Sequence, residues 1–254
     1  MLDVAAHGDF PAAGRSRGRR GRSPPVVVRC RAGGDGPCWA DEHAGHPMMY
    51  LPSHFAADEP RTVDLLATLG AADLVTVTSV GMLASYIPFL YDPTIGDRGA
   101  LLGHLSRSND QWRTPAIGDA LVIAHGPDAY VSPSWYPSKV EHGRVVPTWD
   151  YTVVHASGRL VVRDDPDWLA VLVRRLTDTN EARSPRPWSV DDAPARFIEA
   201  QLRSIVGVEV VIDRLEAKTK WSQNRPAADV AGVLDGLETT GRVAAADALR
   251  AANP

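Results

Sequence analysis

A succession of short β-like runs constrains the fold of this chain more than any other feature. DLVTVTSVGMLASYIPFLYD (73–92) reads as two strands turning near Gly81, and GALLGHL (99–105) as a third. DALVIAHGPDAYVSP (119–133) reads as a hairpin around Gly126 and Pro127, and WDYTVVHASGRLVVRDD (149–165) as a long strand or bulged hairpin in which Gly158 suits a bulge or kink. VGVEVVIDRLEAKTKWSQ (206–223) is a last long strand. About seven closely spaced strands, with helices gathered early and late, predict an α+β chain built on an antiparallel barrel. Strands and helices do not alternate as βαβ units, which argues against a doubly wound sheet.

The helices carry their own signals. DEPRTVDLLATLGAA (58–72) has Asp58 as a cap and Leu65, Leu66 and Leu69 at helical spacing. DPDWLAVLVRRLTDTNE has Pro166 in its first turn, DDAPARFIEAQLRSI is a further helix, and PAADVAGVLDGLETTGRVAAADALRAA reads as two alanine-rich helices. A short helical turn falls around SNDQW.

Residues 1–47 differ in kind. Seven arginines lie among Gly, Ser, Pro and Ala at 10–33 with no acid between them, and neither helical nor strand periodicity appears, so disorder is expected. An over-long reading frame with the start at Met48 or Met49, a flexible basic tail and a cleaved targeting segment all fit. GRSRG at 14–18 matches the G-x-S-x-G hydrolase pattern but lacks the strand and helix that make a nucleophile elbow. Residues 48–254 are then the folded domain.

Charge narrows the partners. Without residues 1–47 the chain has 20 basic and 26 acidic residues, a net of −6, which repels nucleic-acid backbones. No run of eighteen apolar residues exists, so no membrane helix is expected. Cys30 and Cys38 are the only cysteines, too few for a disulfide framework, which suits a cytoplasmic protein. No G-x-G-x-x-G follows a strand, no phosphate-binding P-loop occurs, and the histidines after residue 47 (His54, His104, His125, His142 and His155) form no H-x-x-H pair, so neither a Rossmann site nor a metal site is supported.

What remains is a set of polar–aromatic clusters at strand ends. In GHLSRSNDQW (103–112), Ser106, Arg107 and Asn109 offer hydroxyl, guanidinium and amide groups at a helix start, as an anionic phosphate requires. In SPSWYPSK (132–139) two prolines stiffen the backbone that presents Ser134, Trp135, Tyr136 and Lys139. In VPTWDY (146–151) Trp149 and Tyr151 share one face of a strand, with Val153 and His155 continuing it, and such an aromatic face is commonly core. KTKWSQNRP (218–226) ends the last strand with Gln223 and Asn224, whose amides suit the pyrimidine edge of a flavin or base. Each cluster also reads as ordinary structure: a capped helix, a proline turn, a core aromatic, a polar strand end. Together they point to a planar phosphorylated ligand.

Taken with MMYLPSHF (48–55), YVSPSWYPSK (130–139), VPTWDYTVVHASG (146–158) and KWSQNRP (220–226), these motifs resemble the FMN-binding negative transcriptional regulators, the family of the protease-synthesis and sporulation regulator. The resemblance implies a split-barrel fold similar to the pyridoxamine-phosphate oxidases, a homodimer, and FMN at the dimer interface. It places Ser106, Arg107 and Asn109 on the phosphate side with Lys139 assisting. It sets Ser134, Trp135, Tyr136, Trp149 and Tyr151 around the ring, and Gln223 and Asn224 at the last strand. Ser106 and Ser108 stand where alanine is usual, and Asp150 where asparagine is commoner. An aspartate facing the ring would disfavour the anionic reduced flavin and lower its potential. Three outputs remain open: repression of transcription, directly or through a partner; an NAD(P)H-dependent flavin oxidoreductase; or a non-catalytic flavin- or haem-binding protein. No helix-turn-helix is recognisable for direct DNA contact.

Overall fold

A computed structural model describes residues 48–254 apart from Leu69. The expectations for residues 1–47, the GRSRG pattern included, and for Leu69 lie outside the described residues.

After a short 3-10 turn at Ser53–Phe55 comes helix α1 (Glu59–Thr68), started by the Asp58 carboxylate, which accepts from Arg61 N at 3.0 Å. Strands β1 (Ala71–Thr78), β2 (Gly81–Asp92), β3 (Ala100–Ser106) and β4 (Ala120–Val131) follow, then the one-turn helix α2 (Ser138–His142) and β5 (Thr148–Arg163). Helices α3 (Pro166–Glu181) and α4 (Ala195–Leu202) precede the last strand, β6 (Ile205–Lys220), and the chain ends with α5 (Ala227–Thr239) and α6 (Val243–Ala252). All pairings are antiparallel, and the strands close into a barrel in the order β1-β2-β3-β6-β5-β4.

The strands alternate because one face is buried. Leu74, Phe89, Leu101, Leu105, Val122, Val154, Val208 and Val210 fill the barrel, each 6% exposed or less. Full burial of such a side chain stabilises by roughly 1.5–3 kcal/mol, so this interior decides the register. Outside, α3 lays Leu172 and Leu176 on Ala100 and Leu102 of β3. Helices α5 and α6 pack Val233, Leu237, Ala246 and Leu249 over Val131, Tyr136 and Trp221.

The structure departs from the sequence reading in β4 and again at Gly158 of β5. No hairpin forms at Gly126–Pro127, so six strands exist among the described residues and not about seven. The register jumps from His125↔Val153 to Asp128↔Tyr151, one extra residue on β4. A bulge leaves the extra residue outside the ladder, and there Pro127, lacking an N–H, sits without cost in a strand that continues. At Gly158 the kink was expected, but the inserted residue is on the partner: Ser157 pairs with Arg214 and Gly158 with Ile212. A Cβ on Gly158 would lie 1.9 Å from the Val211 carbonyl oxygen, so only glycine lets β6 approach this closely.

Strand β6 is longer than the neighbour on one side. Its first half pairs with β3, while its second half has β5 on one edge only. The entering segment covers the other edge: Ala57 N donates to Ala217 O at 3.1 Å, and Lys218 Nζ donates to Tyr50 O at 3.0 Å. Glu216 receives Met48 N at 2.9 Å. An otherwise open edge is thereby closed.

Candidate functional site

The expected site residues fall into two groups at opposite ends of the barrel. Ser106 pairs with Ile205, the first residue of β6, whereas Tyr151 pairs with Lys220, the last. The 16 residues of β6 between them correspond to about 50 Å of strand contour. A single chain therefore does not bring Ser106, Arg107 and Asn109 together with Trp149, Tyr151, Gln223 and Asn224.

At the β3 exit, Ser106 Oγ and Ser108 Oγ lie 2.8 Å apart on the surface, and Asn109 caps the following 3-10 turn (Asp110–Trp112) by accepting from Gln111 N at 2.8 Å. The Asn109 Nδ2 donates to Ser85 Oγ on β2 at 2.8 Å, a partner the sequence did not suggest. Residues 106–109 offer hydroxyl and amide donors and contain no carboxylate, so their chemistry fits a phosphate group. Arg107 is committed elsewhere. Its Nε donates to Arg203 O at 2.9 Å, one terminal nitrogen to Ile205 O at 3.0 Å, and both to Asp164 at 2.5 and 3.0 Å. These hydrogen bonds hold the Asp164 carboxyl below the usual carboxylate range. Arg107 thus clamps the exits of β3 and β5 to the entry of β6, its charge already balanced.

At the other end the aromatic residues divide. Trp149 is 52% exposed, donates Nε1 to Asp128 Oδ1 at 2.9 Å, and meets Tyr130 edge-on at a centroid distance of 6.0 Å. Tyr151 lies on the same face, with Lys218 Nζ 5.5 Å from its ring centroid and 5.4 Å from that of Tyr50. The shared face read from the alternation is present, but it points outward. The buried face carries Asp150, Thr152 and Val154. Trp135 and Tyr136 turn to the C-terminal helices instead. A Cβ on Gly236 of α5 would lie 2.3 Å from the Trp135 ring, and Tyr136 is 1% exposed. Burial raises the Tyr136 hydroxyl above the usual phenol range. Ser134 and Lys139 stay at the surface, joined at 3.3 Å.

Strand β6 ends in a tight polar closure. Gln223 accepts from Trp221 N at 2.6 Å and donates to Thr219 O, which occupies its amide, while Asn224 is exposed. The Asp150 carboxylate, fully buried, accepts from Lys220 Nζ at 3.1 Å and from Ser222 Oγ at 2.7 Å. It faces the interior, and both oxygens are engaged. The expectation of a free aspartate against a flavin ring is therefore corrected. A cleft of about 490 Å3 adjoins the β3 exit beside Arg107, Leu169 and Leu202, and one of about 460 Å3 lies beside Arg225, Val230 and Leu249.

The described residues thus form a closed antiparallel six-stranded barrel with peripheral helices and a hydroxyl-rich strand exit. Residues 49–214 match the family described as "Putative FMN-binding domain", and the chain belongs to that family; FMN is its cofactor. It is 30% identical over 192 residues to the protease synthase and sporulation protein PAI 2 of Bacillus subtilis, covering 75% of this chain and 89% of that one. An uncharacterized protein of Aspergillus fumigatus is 33% identical over 200 residues, covering 62% of this chain and 77% of its own. Among solved structures, similarity extends to the flavocytochrome Anf3 from Azotobacter vinelandii, with 14% identity, a TM-score of 0.45 and coverage of 65% and 69%. It extends also to an FAD and heme binding protein from Mycobacterium smegmatis, with 20% identity, a TM-score of 0.41 and coverage of 64% and 71%. No helix among the described residues is long and apolar enough to cross a membrane.

Proposed function

We propose that the protein is a homodimeric, cytoplasmic FMN-binding regulator in which each flavin is held by residues of two copies. The separation of the two residue groups along β6 carries this reading. One chain offers phosphate donors at the β3 exit and an aromatic surface at the far end, and an antiparallel pair would set one copy's donors beside its partner's rings. Exposed apolar side chains at both ends support it: Met82 and Tyr86 beside the β3 exit, Tyr130 and Trp149 at the other, between 48% and 77% exposed. In such a pair Ser106, Ser108 and Asn109 would take the phosphate, and Trp149 and Tyr151 would border the ring. FMN would supply a redox-active isoalloxazine. The chain's own residues would fix its position and keep water from one face.

The regulatory output draws on the Bacillus subtilis relative, whose name ties it to protease synthesis and sporulation. A net charge of −6 over residues 48–254 favours action through a protein partner over a grip on the DNA backbone. The test joins mass and colour. Light scattering of the purified chain with and without FMN, together with its visible spectrum, is expected to give a yellow dimer with one flavin per copy. A monomer that stays colourless in excess FMN would refute the reading. Rapid bleaching of the bound flavin by NADPH would replace the regulator with an oxidoreductase.

A further inference from the structure

A cleft of about 300 Å3 opens where α3 crosses β2 and β3, away from the aromatic end of the barrel. Its walls include Pro88, Val173 and Leu176, and its polar groups include His104 and Glu181, with Trp188 at the side. His104 follows Leu102 by two residues on β3, so it shares the outward face that α3 covers. It is half-buried, yet its ring hydrogen-bonds to no described residue. Neither ring nitrogen is sealed from solvent, so a group entering the cleft would replace water as its hydrogen-bond partner. Burial lowers its pKa below the ordinary histidine value, which leaves the ring neutral at pH 7 with one nitrogen as an acceptor.

The neighbours define what would enter. Trp188 is 44% exposed, and its backbone is held in place because Trp188 N donates to Glu181 Oε2 at 3.0 Å. A fixed, half-exposed indole offers a flat face for stacking. The second Glu181 oxygen adds an acceptor and a negative charge, which turns away anions. No cationic side chain lines the cleft. Thr177 and Asn180 complete the lining, with Asn180 Nδ2 already donating to Leu176 O at 2.7 Å. The acceptors of His104 and Glu181, one aromatic face and apolar walls favour a flat ring that donates an N–H and carries no negative charge.

We propose that this cleft binds a planar aromatic N–H donor, stacked on Trp188 and hydrogen-bonded to the ring nitrogen of His104. This site is separate from FMN and needs no flavin. Indole and benzofuran are suitable probes, since they share one shape and differ in the N–H. Calorimetric titration of the full chain is expected to show saturable binding of indole, one per copy, with benzofuran roughly two- to tenfold weaker, the usual effect of one net hydrogen bond. His104→Leu is expected to close that gap, His104→Gln to keep it through the amide oxygen, and Trp188→Ala to weaken both ligands. Trp188 lies at the surface, so its truncation leaves the core intact and tests the site even where His104→Leu does not fold. Equal affinity for indole and benzofuran, or a gap that survives His104→Leu, would overturn the proposal. So would displacement of indole by saturating FMN, which would make the cleft part of the flavin site.

Discussion

Replacing Lys220 with Met tests how the far end of β5 and β6 is held. Asp150 is 0% exposed, and its two oxygens depend on Lys220 and Ser222. Lys220 also donates to Thr148 Oγ1 at 2.7 Å and to Trp149 O. Methionine keeps the length of the side chain and removes all three donations, leaving a buried carboxylate with one hydroxyl. Breaking a buried pair from one side costs about 3–5 kcal/mol. The Lys220 side chain is 21% exposed, so water can reach the vacated position, and the lower figure of about 3 kcal/mol applies. For a domain of this size that lowers Tm by roughly 6–12 °C. Adding Asp150→Asn removes the stranded charge and is expected to recover most of the loss, to within about 1 kcal/mol of the parent, as a double-mutant cycle in urea would read. A Lys220→Met protein within 1 kcal/mol of the parent, or a double variant no more stable than the single one, would show that the pair is not what secures this end.

Three further outcomes follow from named contacts. Asp150→Asn alone is expected to leave the potential of bound FMN unchanged in a spectroelectrochemical titration, because the carboxylate is turned inward and already balanced. The Asp92 carboxyl is lowered to about 2 by the Thr94 hydroxyl, Arg175 and the Thr94 N–H, against 3.8 when free. Its folded value is depressed, so its contribution of about 2 kcal/mol is present above pH 4 and lost as pH falls through 2; urea melts of Asp92→Asn should therefore lose part of the acid sensitivity seen in the parent. Gly158→Ala is expected to cost about 3 kcal/mol in thermal or urea unfolding, since its methyl would sit 1.9 Å from Val211 O.

The elements that the sequence announced best are those whose signals are local. Helix α3 begins where Asp165 and Pro166 stand together, and the Asp165 carboxylate does accept from Asp167 N and Trp168 N at 2.9 and 3.2 Å. The alternation of Trp149, Tyr151, Val153 and His155 was correct as geometry, because period two is a property of any strand. Which side faced the core was not legible, since Asp150 on the buried side is acceptable only once Lys220 arrives from a strand seventy residues later. Gly126–Pro127 failed for a related reason: a turn and a bulge use the same residues, and Thr152 on β5 packs against Gly126 to make it a bulge.

The candidate site divides in the same way. The hydroxyl and amide groups of residues 106–109 belong to one contiguous segment, so their fitness for a phosphate could be read from their order. Arg107 looked like part of that set, yet Asp164 and the carbonyls of Arg203 and Ile205 hold it, and no spacing rule predicts partners 57, 96 and 98 residues away. Trp135 and Tyr136 looked like a presented aromatic surface, but glycines at 232 and 236 open a seat for Trp135 under α5, and Tyr136 is buried in the core beneath α5 and α6.

The amino-acid order alone determined the barrel class, the helix starts, the family and the cofactor, because caps, periods and contiguous motifs are written over a few neighbouring residues. The tertiary structure alone decided which polar groups stay free. Hydrogen-bond partners and burial depend on strands far apart in the chain, and only closure of the barrel brings those strands together.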